Sequence, residues 1–335
     1  MDKPTADTPA LAKHPADAAA GNGGKTRVAV VFGGGSAEQA IGSVSAGDVL
    51  DGLDREAFDV VPLGITGDGR WVLESGAGDR RPAVADARAG LRGLGVADVV
   101  FPVLRGSVGA GGTVQGLLEM AGLPYVGSGV FATAATMDRE FCRKFAEAEG
   151  LPVVPHVVLR PGQELTGEDR ARLGLPALVR SCRVASPAAV PVPSWEMLPA
   201  ALAIVRDTDP KVVVESVLHA RTLDIGVLEG EEFGDARASV PAEGSTVPAD
   251  VPHDVARAAG ELAVRAFAAL ECSGAVRVTV KLTAAGELLL DGIDPMPEFS
   301  ADGVLARMWA ASGVSYQDLV SSLITTALRK GTSLH

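Results

Sequence analysis

The sequence predicts an α/β protein built around an open sheet, and three observations carry that expectation. Short apolar runs, of which 28–32 is the first, alternate with stretches of helical character that start at capping residues and stop at glycine. The turn Gly33-Gly34-Gly35 leads from the first run into a helix with Ser36 as its N-cap. The 335 residues are 47% hydrophobic but only 4% aromatic, so Val, Leu and Ala must fill the interior. A chain of this length has room for two or three domains, each with its own core.

Residues 1–26 are rich in Ala, Asp, Pro, Lys and Gly without a usable period, which predicts a disordered tail. The strand at 28–32 follows, and Glu38 falls in the first turn of the next helix, where a carboxylate complements the macrodipole. "FDVVPLGI" predicts a second strand; a helical stretch at 86–94 precedes a third, "ADVVFPVL". "TVQGLLEMAG" reads as a helix closed by Gly122. A helix at 138–149 ends at Gly150 and gives way to a strand at 153–159. Next come the strand "PALVRS", a Pro/Ala-rich loop and a helix starting at "SWEML". The strands "KVVVESVL" and "TLDIGVLEG", a polar loop and a long helix at 251–270 lead to "AVRVTVKL", "ELLLDGI" and two closing helices. There is no internal repeat.

The net charge of −12, from 42 acidic and 30 basic residues, argues against a nucleic-acid or anionic-membrane partner. It leaves room for ATP, because a local cluster of cations binds phosphate on an acidic protein. Cys142, Cys182 and Cys272 lie far apart in apolar segments with no zinc-type spacing, which predicts reduced, buried thiols. The N-terminal segment has no apolar signal core. The apolar stretch 256–276 is interrupted by Glu261, Arg265 and Glu271, so no membrane span is expected and the protein is expected to be cytoplasmic.

Seven segments, in order, resemble the D-alanine–D-alanine ligases of the ATP-grasp superfamily. They are "VFGGGSAEQAIGSVSAG", "VFPVLRG…GGTVQGLLEMAGLPYVGSG", "MDREF…AEGLPV", "VVVESVL", "RVTVKLT", "DGIDPMPEFS" and "RMWAASG". The resemblance runs from Arg27 to Lys330. It implies an N-terminal Rossmann-like α/β domain (27–130) and central (131–210) and C-terminal (211–330) ATP-grasp parts that hold ATP between two antiparallel sheets. It also implies a homodimer and a two-step reaction. ATP phosphorylates the carboxylate of one D-alanine, and the amine of a second attacks the acylphosphate to give a dipeptide for peptidoglycan precursors.

The resemblance assigns roles residue by residue. Glu38 matches the glutamate that holds the first amino group, although an ordinary first-turn glutamate reads the same way. Gly42 stands where the family has a supporting serine, and Arg105, Ala110 and Gly111 replace a histidine and two acids in the next loop. Arg277 matches the arginine that stabilises the oxyanion; a surface arginine on a strand is the plain alternative. Arg139 and Arg180 occupy the positions of two phosphate-binding lysines, and guanidinium does not replace ammonium one for one in a tight site. Glu215 and Leu218 match the adenine hinge, whereas Thr222 replaces the ribose-binding glutamate.

The departures gather at the triphosphate and the metal. The phosphate-covering loop reads "VASPAAVPVP", whose Pro187 and Pro191 lack amide donors. The polar loop after Glu229 is short and lacks the Lys-Tyr segment. The family's three magnesium ligands fall on Thr279, Gly292 and Asp294, of which only Asp294 is a carboxylate. Asp224 and Asp291 are nearby but unmatched, and period-two alternation places Asp291 on the opposite face of its strand. The expectation is a catalytically impaired or inactive paralogue, a binding or regulatory protein whose ligand is a small, D-alanine-like amino acid or a nucleotide. The alternative is a working ATP- and Mg²⁺-dependent ligase of D-alanine or another small amino acid. Nucleotide binding without turnover is a third.

Overall fold

The computed structural model describes residues 24–33, 39–66, 71–75, 79–84, 97–104, 111–183, 189–230 and 235–332. Ser36, Glu38, Arg105, Ala110, Pro187, the helix expected at 86–94 and the tail up to residue 23 lie outside them.

The first sheet has the order β4-β3-β2-β1-β5, from β1 (Thr26–Gly33), β2 (Phe58–Ile65), β3 (Trp71–Ser75), β4 (Asp79–Val84) and β5 (Val99–Leu104). β1 pairs in parallel with β2 and β5, as an open α/β sheet requires. Its residues alternate between two cores. Val28 and Val30 pack with Ala46 and Val49 of α1 (Gln39–Gly52), while Ala29 and Val31 pack with Val114 and Leu118 of α2 (Thr113–Met120). The expected third strand, "ADVVFPVL", is therefore the fifth. β3 and β4 form an antiparallel extension at the sheet edge, where "DRRPAV" shows no apolar alternation and its proline is tolerated.

Two four-stranded antiparallel sheets follow. One, β6-β9-β7-β8, consists of β6 (His156–Leu159), β7 (Ala177–Ser181), β8 (Ala189–Val192) and β9 (Val212–Ser216). The other, β11-β10-β12-β13, consists of β10 (Ala220–Glu229), β11 (Ala236–Ala238), β12 (Ala275–Thr283) and β13 (Leu288–Asp294). The strand expected from 153 begins only at His156, with Val153 reduced to a single bridge to Leu290. Part of the expected Pro/Ala-rich loop is the edge strand β8, with Pro191 opposite Leu178. Two short helices were not anticipated: α3 (Val130–Thr136), and α5 (Gly167–Leu173), which opens on a Thr166/Asp169 capping box. Gly122 and Gly150 close their helices with φ of 66° and 67°, as expected.

Each of these two antiparallel sheets packs one face against helices and carries charged residues on the other. On β9, Val212 and Val214 join a core with Leu198, Ala201, Leu202 and Val205 of α6 (Leu198–Arg206). On β12, Val276, Val278 and Val280 pack against Ala263, Ala266 and Phe267 of α7 (His253–Ala269). The alternate positions of β12, Arg277, Thr279 and Lys281, are half-buried on the opposite face. The closing helices α8 (Val304–Ala311) and α9 (Tyr316–Lys330) return to the first sheet, where Trp309, Leu319 and Ile324 share a core with Val30 and Phe101. All three cysteines are free and buried, and burial pushes the Cys142 thiol up to about 11, which leaves it inert.

Helix α4 (Arg139–Ala148) carries much of the charge between these parts. Its N-cap Asp138 and its buried Glu140 share Lys211 at 2.6 and 2.8 Å, and Glu140 also accepts from Lys144 at 2.7 Å and Arg160 at 2.8 Å. Burial pushes the Glu140 carboxyl up, but the hydrogen bonds from Lys144, Lys211 and Arg160 outweigh it and hold the pKa near about 2. A depressed carboxylate stabilises the fold fully above its ordinary value of 4.5 and loses that contribution as pH falls toward about 2. Glu140→Gln should therefore cost about 2 kcal/mol at neutral pH and flatten the fall of the thermal midpoint over that acid window. Circular-dichroism melts of both proteins across the window check this; an unchanged slope in the variant would remove Glu140 as its source.

Candidate active site

Arg139 and Arg143 are four residues apart on α4 and so share one side of the helix. The Arg143 side chain is 0% exposed, and its Nη2 donates to Glu215 Oε2 at 2.7 Å and Asp291 Oδ1 at 3.2 Å. Its Nε and Nη1 have no hydrogen-bond partner. Arg180 Nε approaches the other Glu215 oxygen at 3.2 Å, within ion-pair range although off the hydrogen-bond line. Lys281 Nζ donates to Thr222 Oγ1 at 2.8 Å and lies 3.7 Å from Asp291 Oδ2. Burial, and then the like charge of Arg180, lower the pKa of Arg139, with Glu215 and Asp291 only partly compensating. One cluster thus joins α4, β7, β9, β10, β12 and β13, with four cations set against two carboxylates.

The strand pair β12–β13 determines what stands at the metal end. Arg277 is opposite Asp294 and Thr279 is opposite Gly292, with a bulge next to Thr279. The bulge corrects the alternation expected for Asp291. Leu290 and Ile293 both stay in the core, and the Asp291 carboxylate meets Lys281 and Arg143 on the face opposite that core. Asp291 still does not replace the missing glutamate, because those two cations hold it. Asp294 Oδ2 is 3.3 Å from Arg277 Nη2, and its Oδ1 accepts from the Met296 amide. Asp224 accepts from the Thr279 hydroxyl at 2.8 Å and lies 3.9 Å from Arg277. A Cβ added at Gly292 would meet nothing within 4 Å, so the space for a larger side chain is open.

The carboxylates on this face are few and already paired. A hard divalent cation takes several oxygen ligands in near-octahedral geometry. Here the carboxylates of the face are engaged with Arg277, Lys281, Arg143 or Thr279, and no group of three His, Cys, Asp or Glu among the described residues could hold a metal.

The other expected residues divide. Glu215 is buried with both carboxylate oxygens turned to Arg143 and Arg180, while Leu218 is half-buried in the link between β9 and β10. Arg277 sits between two aspartates, on the face of β12 turned away from the core. Gly42 lies in α1. A narrow cavity lies between the first sheet and the segment after β13, lined among others by Leu104, Ser128, Met296 and Phe299. Ser45 Oγ and Gln115 Oε1, both on its wall, are buried without a hydrogen-bond partner. Reading the sequence missed Arg143 and Lys281. The spacing of Arg139 and Arg143 and the alternation Arg277, Thr279, Lys281 were the available signals.

Comparison with known proteins agrees with this architecture. The family models described as "D-ala D-ala ligase N-terminus" and "D-ala D-ala ligase C-terminus" match residues 27–128 and residues 145–245 with 239–325. The D-alanine–D-alanine ligase of Mycolicibacterium smegmatis is 44% identical over 368 aligned positions, covering 93% of this chain and 98% of the relative. That alignment is longer than the 335-residue chain, so the relative carries segments that this chain lacks. Among solved structures, the D-alanine–D-alanine ligase of Coxiella burnetii superposes with a TM-score of 0.79 at 27% identity, covering 91% of this chain and 94% of its own. The VanG D-Ala:D-Ser ligase of Enterococcus faecalis gives 0.81 at 26%, covering 90% of this chain and 99% of its own. No helix among the described residues is long and apolar enough to cross a membrane. With both family models and a 44% identical relative spanning nearly all of it, the chain belongs to the D-alanine–D-alanine ligase family and has its ATP-grasp fold.

Proposed function

We propose that this chain is an ATP-binding carboxylate–amine ligase of small amino acids, of the D-alanine–D-alanine type, whose phosphoryl transfer is much slower than that of its relatives. One observation carries the slow rate: Thr279 and Gly292 face each other where the resemblance places two metal-binding carboxylates, and Asp294 is held by Arg277. Nucleotide binding is supported by Arg139 and Arg180, which stand in the positions of the two phosphate-binding lysines and lie near one another, since a triphosphate needs fixed positive partners for its oxygens. The cavity beside the unpartnered Ser45 and Gln115 atoms, about 20 Å³, has room for a water molecule, so the small amino acid is supported by family membership. The relatives include both D-Ala–D-Ala and D-Ala:D-Ser ligases, so the class of small amino acid is supported better than any one pair.

In the reaction of this class, a carboxylate oxygen attacks the γ-phosphorus and ADP leaves; the incoming amine then attacks the acyl carbon and phosphate leaves. When bound, Mg²⁺ supplies charge neutralisation in the first step. Arg277, in the position of the oxyanion-stabilising arginine, would serve the second; its two aspartate neighbours hold it in place. A second reading, a ligase running at the ordinary rate of the family, is favoured by the 44% identity over 93% of the chain.

Phosphate release with ATP, Mg²⁺ and D-alanine decides between them. Loss of metal stabilisation worth several kcal/mol predicts a rate at least about 100-fold below that of a family ligase assayed alongside. A comparable rate would establish the second reading. The double variant Thr279→Asp, Gly292→Glu places two carboxylates across the strand pair beside Asp224. It should melt lower than the parent without divalent cation, by about 1 kcal/mol or more of like-charge repulsion, and recover on adding Mg²⁺. Scanning calorimetry reads both effects; a melting point indifferent to Mg²⁺ would show that these two positions do not rebuild a metal site.

A further inference from the structure

We propose that the outer side of the central sheet carries a second ligand site, a pocket between α6, Trp195 and Arg170 for a small organic carboxylate with a flat apolar body. The site is separate from the one described above and takes a ligand of its own.

The pocket has a volume of about 340 Å³, within the range of small-molecule sites. It lies behind the sheet β6-β9-β7-β8. Its apolar lining, Leu165, Leu198 and Leu202, belongs to the core that also holds Val179 of β7 and Val212 and Val214 of β9. Arg180 and Glu215 occupy the alternate positions of those strands and so turn to the opposite face. Leu198, Leu202 and Arg206 are spaced four apart along α6, so one line of the helix supplies both apolar surface and a cation.

The charged groups select the ligand. Among the lining residues, Arg170 and Arg206 are cations and Glu164 is the single carboxylate, a surplus of one positive charge. Neither arginine makes an ion pair among the described residues. Arg170 lies over the Trp195 ring, 5.8 Å from its centroid. Glu196 stands outside the lining; the Ser194 hydroxyl and, more weakly, Arg170 lower its pKa. Arg206 donates from Nη2 to the Arg160 carbonyl at 3.0 Å, while its Nε is buried without a partner, which leaves this guanidinium short of acceptors. A carboxylate accepts two parallel N–H bonds from a planar guanidinium, and its one charge equals the surplus. Trp195, half-buried against the core, and the three leucines call for a flat apolar body attached to that carboxylate. Inorganic phosphate would satisfy the cations and leave the apolar lining wet.

Calorimetric titration of the full chain with indole-3-acetate tests this, with indole-3-acetamide and inorganic phosphate as the ligands lacking the charge and the apolar body. Two variants locate the site, each first checked for an unchanged thermal midpoint. Arg170→Gln removes an exposed cation, and Ala203→Phe fills the pocket from an exposed position on α6. Indole-3-acetate should bind with a dissociation constant below about 1 mM. Arg170→Gln should weaken this about tenfold, the loss of one charge-assisted hydrogen bond, and Ala203→Phe should abolish it. The acetamide should bind at least about tenfold more weakly than the acetate, and phosphate more weakly still. If one variant melts early, the other carries the test. Absence of indole-3-acetate binding would overturn the proposal. Equal binding of the acetamide would overturn the carboxylate as the recognised group. Binding unchanged in the well-folded variants would place the ligand elsewhere and overturn the site.

Discussion

The joining of the two antiparallel sheets depends on one buried guanidinium. Arg143 has no exposed side-chain surface, yet it bonds Glu215 of β9 and Asp291 of β13, strands from two different sheets. Taking such a charge out of water costs several kcal/mol and is tolerated only with close, well-aligned counter-charges. The two carboxylates are thus required partners, and they fix where the helix and the two sheets stand relative to one another. Removing either would leave a buried charge half paired, a larger penalty than the pair's net contribution.

Because Glu215 and Asp291 are committed to Arg143, they are shared with the remaining cations at greater distance and leave the cluster short of negative charge. In the proposed reading the neighbouring face is short of carboxylates in a complementary way: Thr279 stands opposite Gly292, Arg277 pairs with Asp294, and the Thr279 hydroxyl donates to Asp224. Family membership fixes the scaffold, while these few side chains alter the charge that the scaffold offers. Fold and rate are thereby separable: a 44% identical relative secures the first and leaves the second to the site residues.

Much of the fold was legible because the interior strands are uninterrupted apolar runs and several helices end at glycines that adopt positive φ. The edge elements were not. β3, β4 and β8 are short, polar or proline-bearing, and their pairing depends on a neighbour already being in place. In the site, Arg277, Arg139, Arg180 and Glu215 were named from the sequence, whereas Arg143 was passed over because burial of an arginine is a tertiary fact. The direction of Asp291 was misjudged for a related reason. Strict alternation holds only in a regular ladder, and a bulge arises from the register of two strands together, which neither strand displays alone.

The most direct measurement is electron paramagnetic resonance of Mn²⁺ titrated into the protein with a non-hydrolysable ATP analogue. With no group of three metal-binding side chains together among the described residues, the proposed slow transfer predicts the spectrum and affinity of the manganese–nucleotide complex in solution, unchanged by the protein. A tightly held, protein-dependent Mn²⁺ signal would contradict the proposed slow transfer and favour a ligase running at the family's ordinary rate.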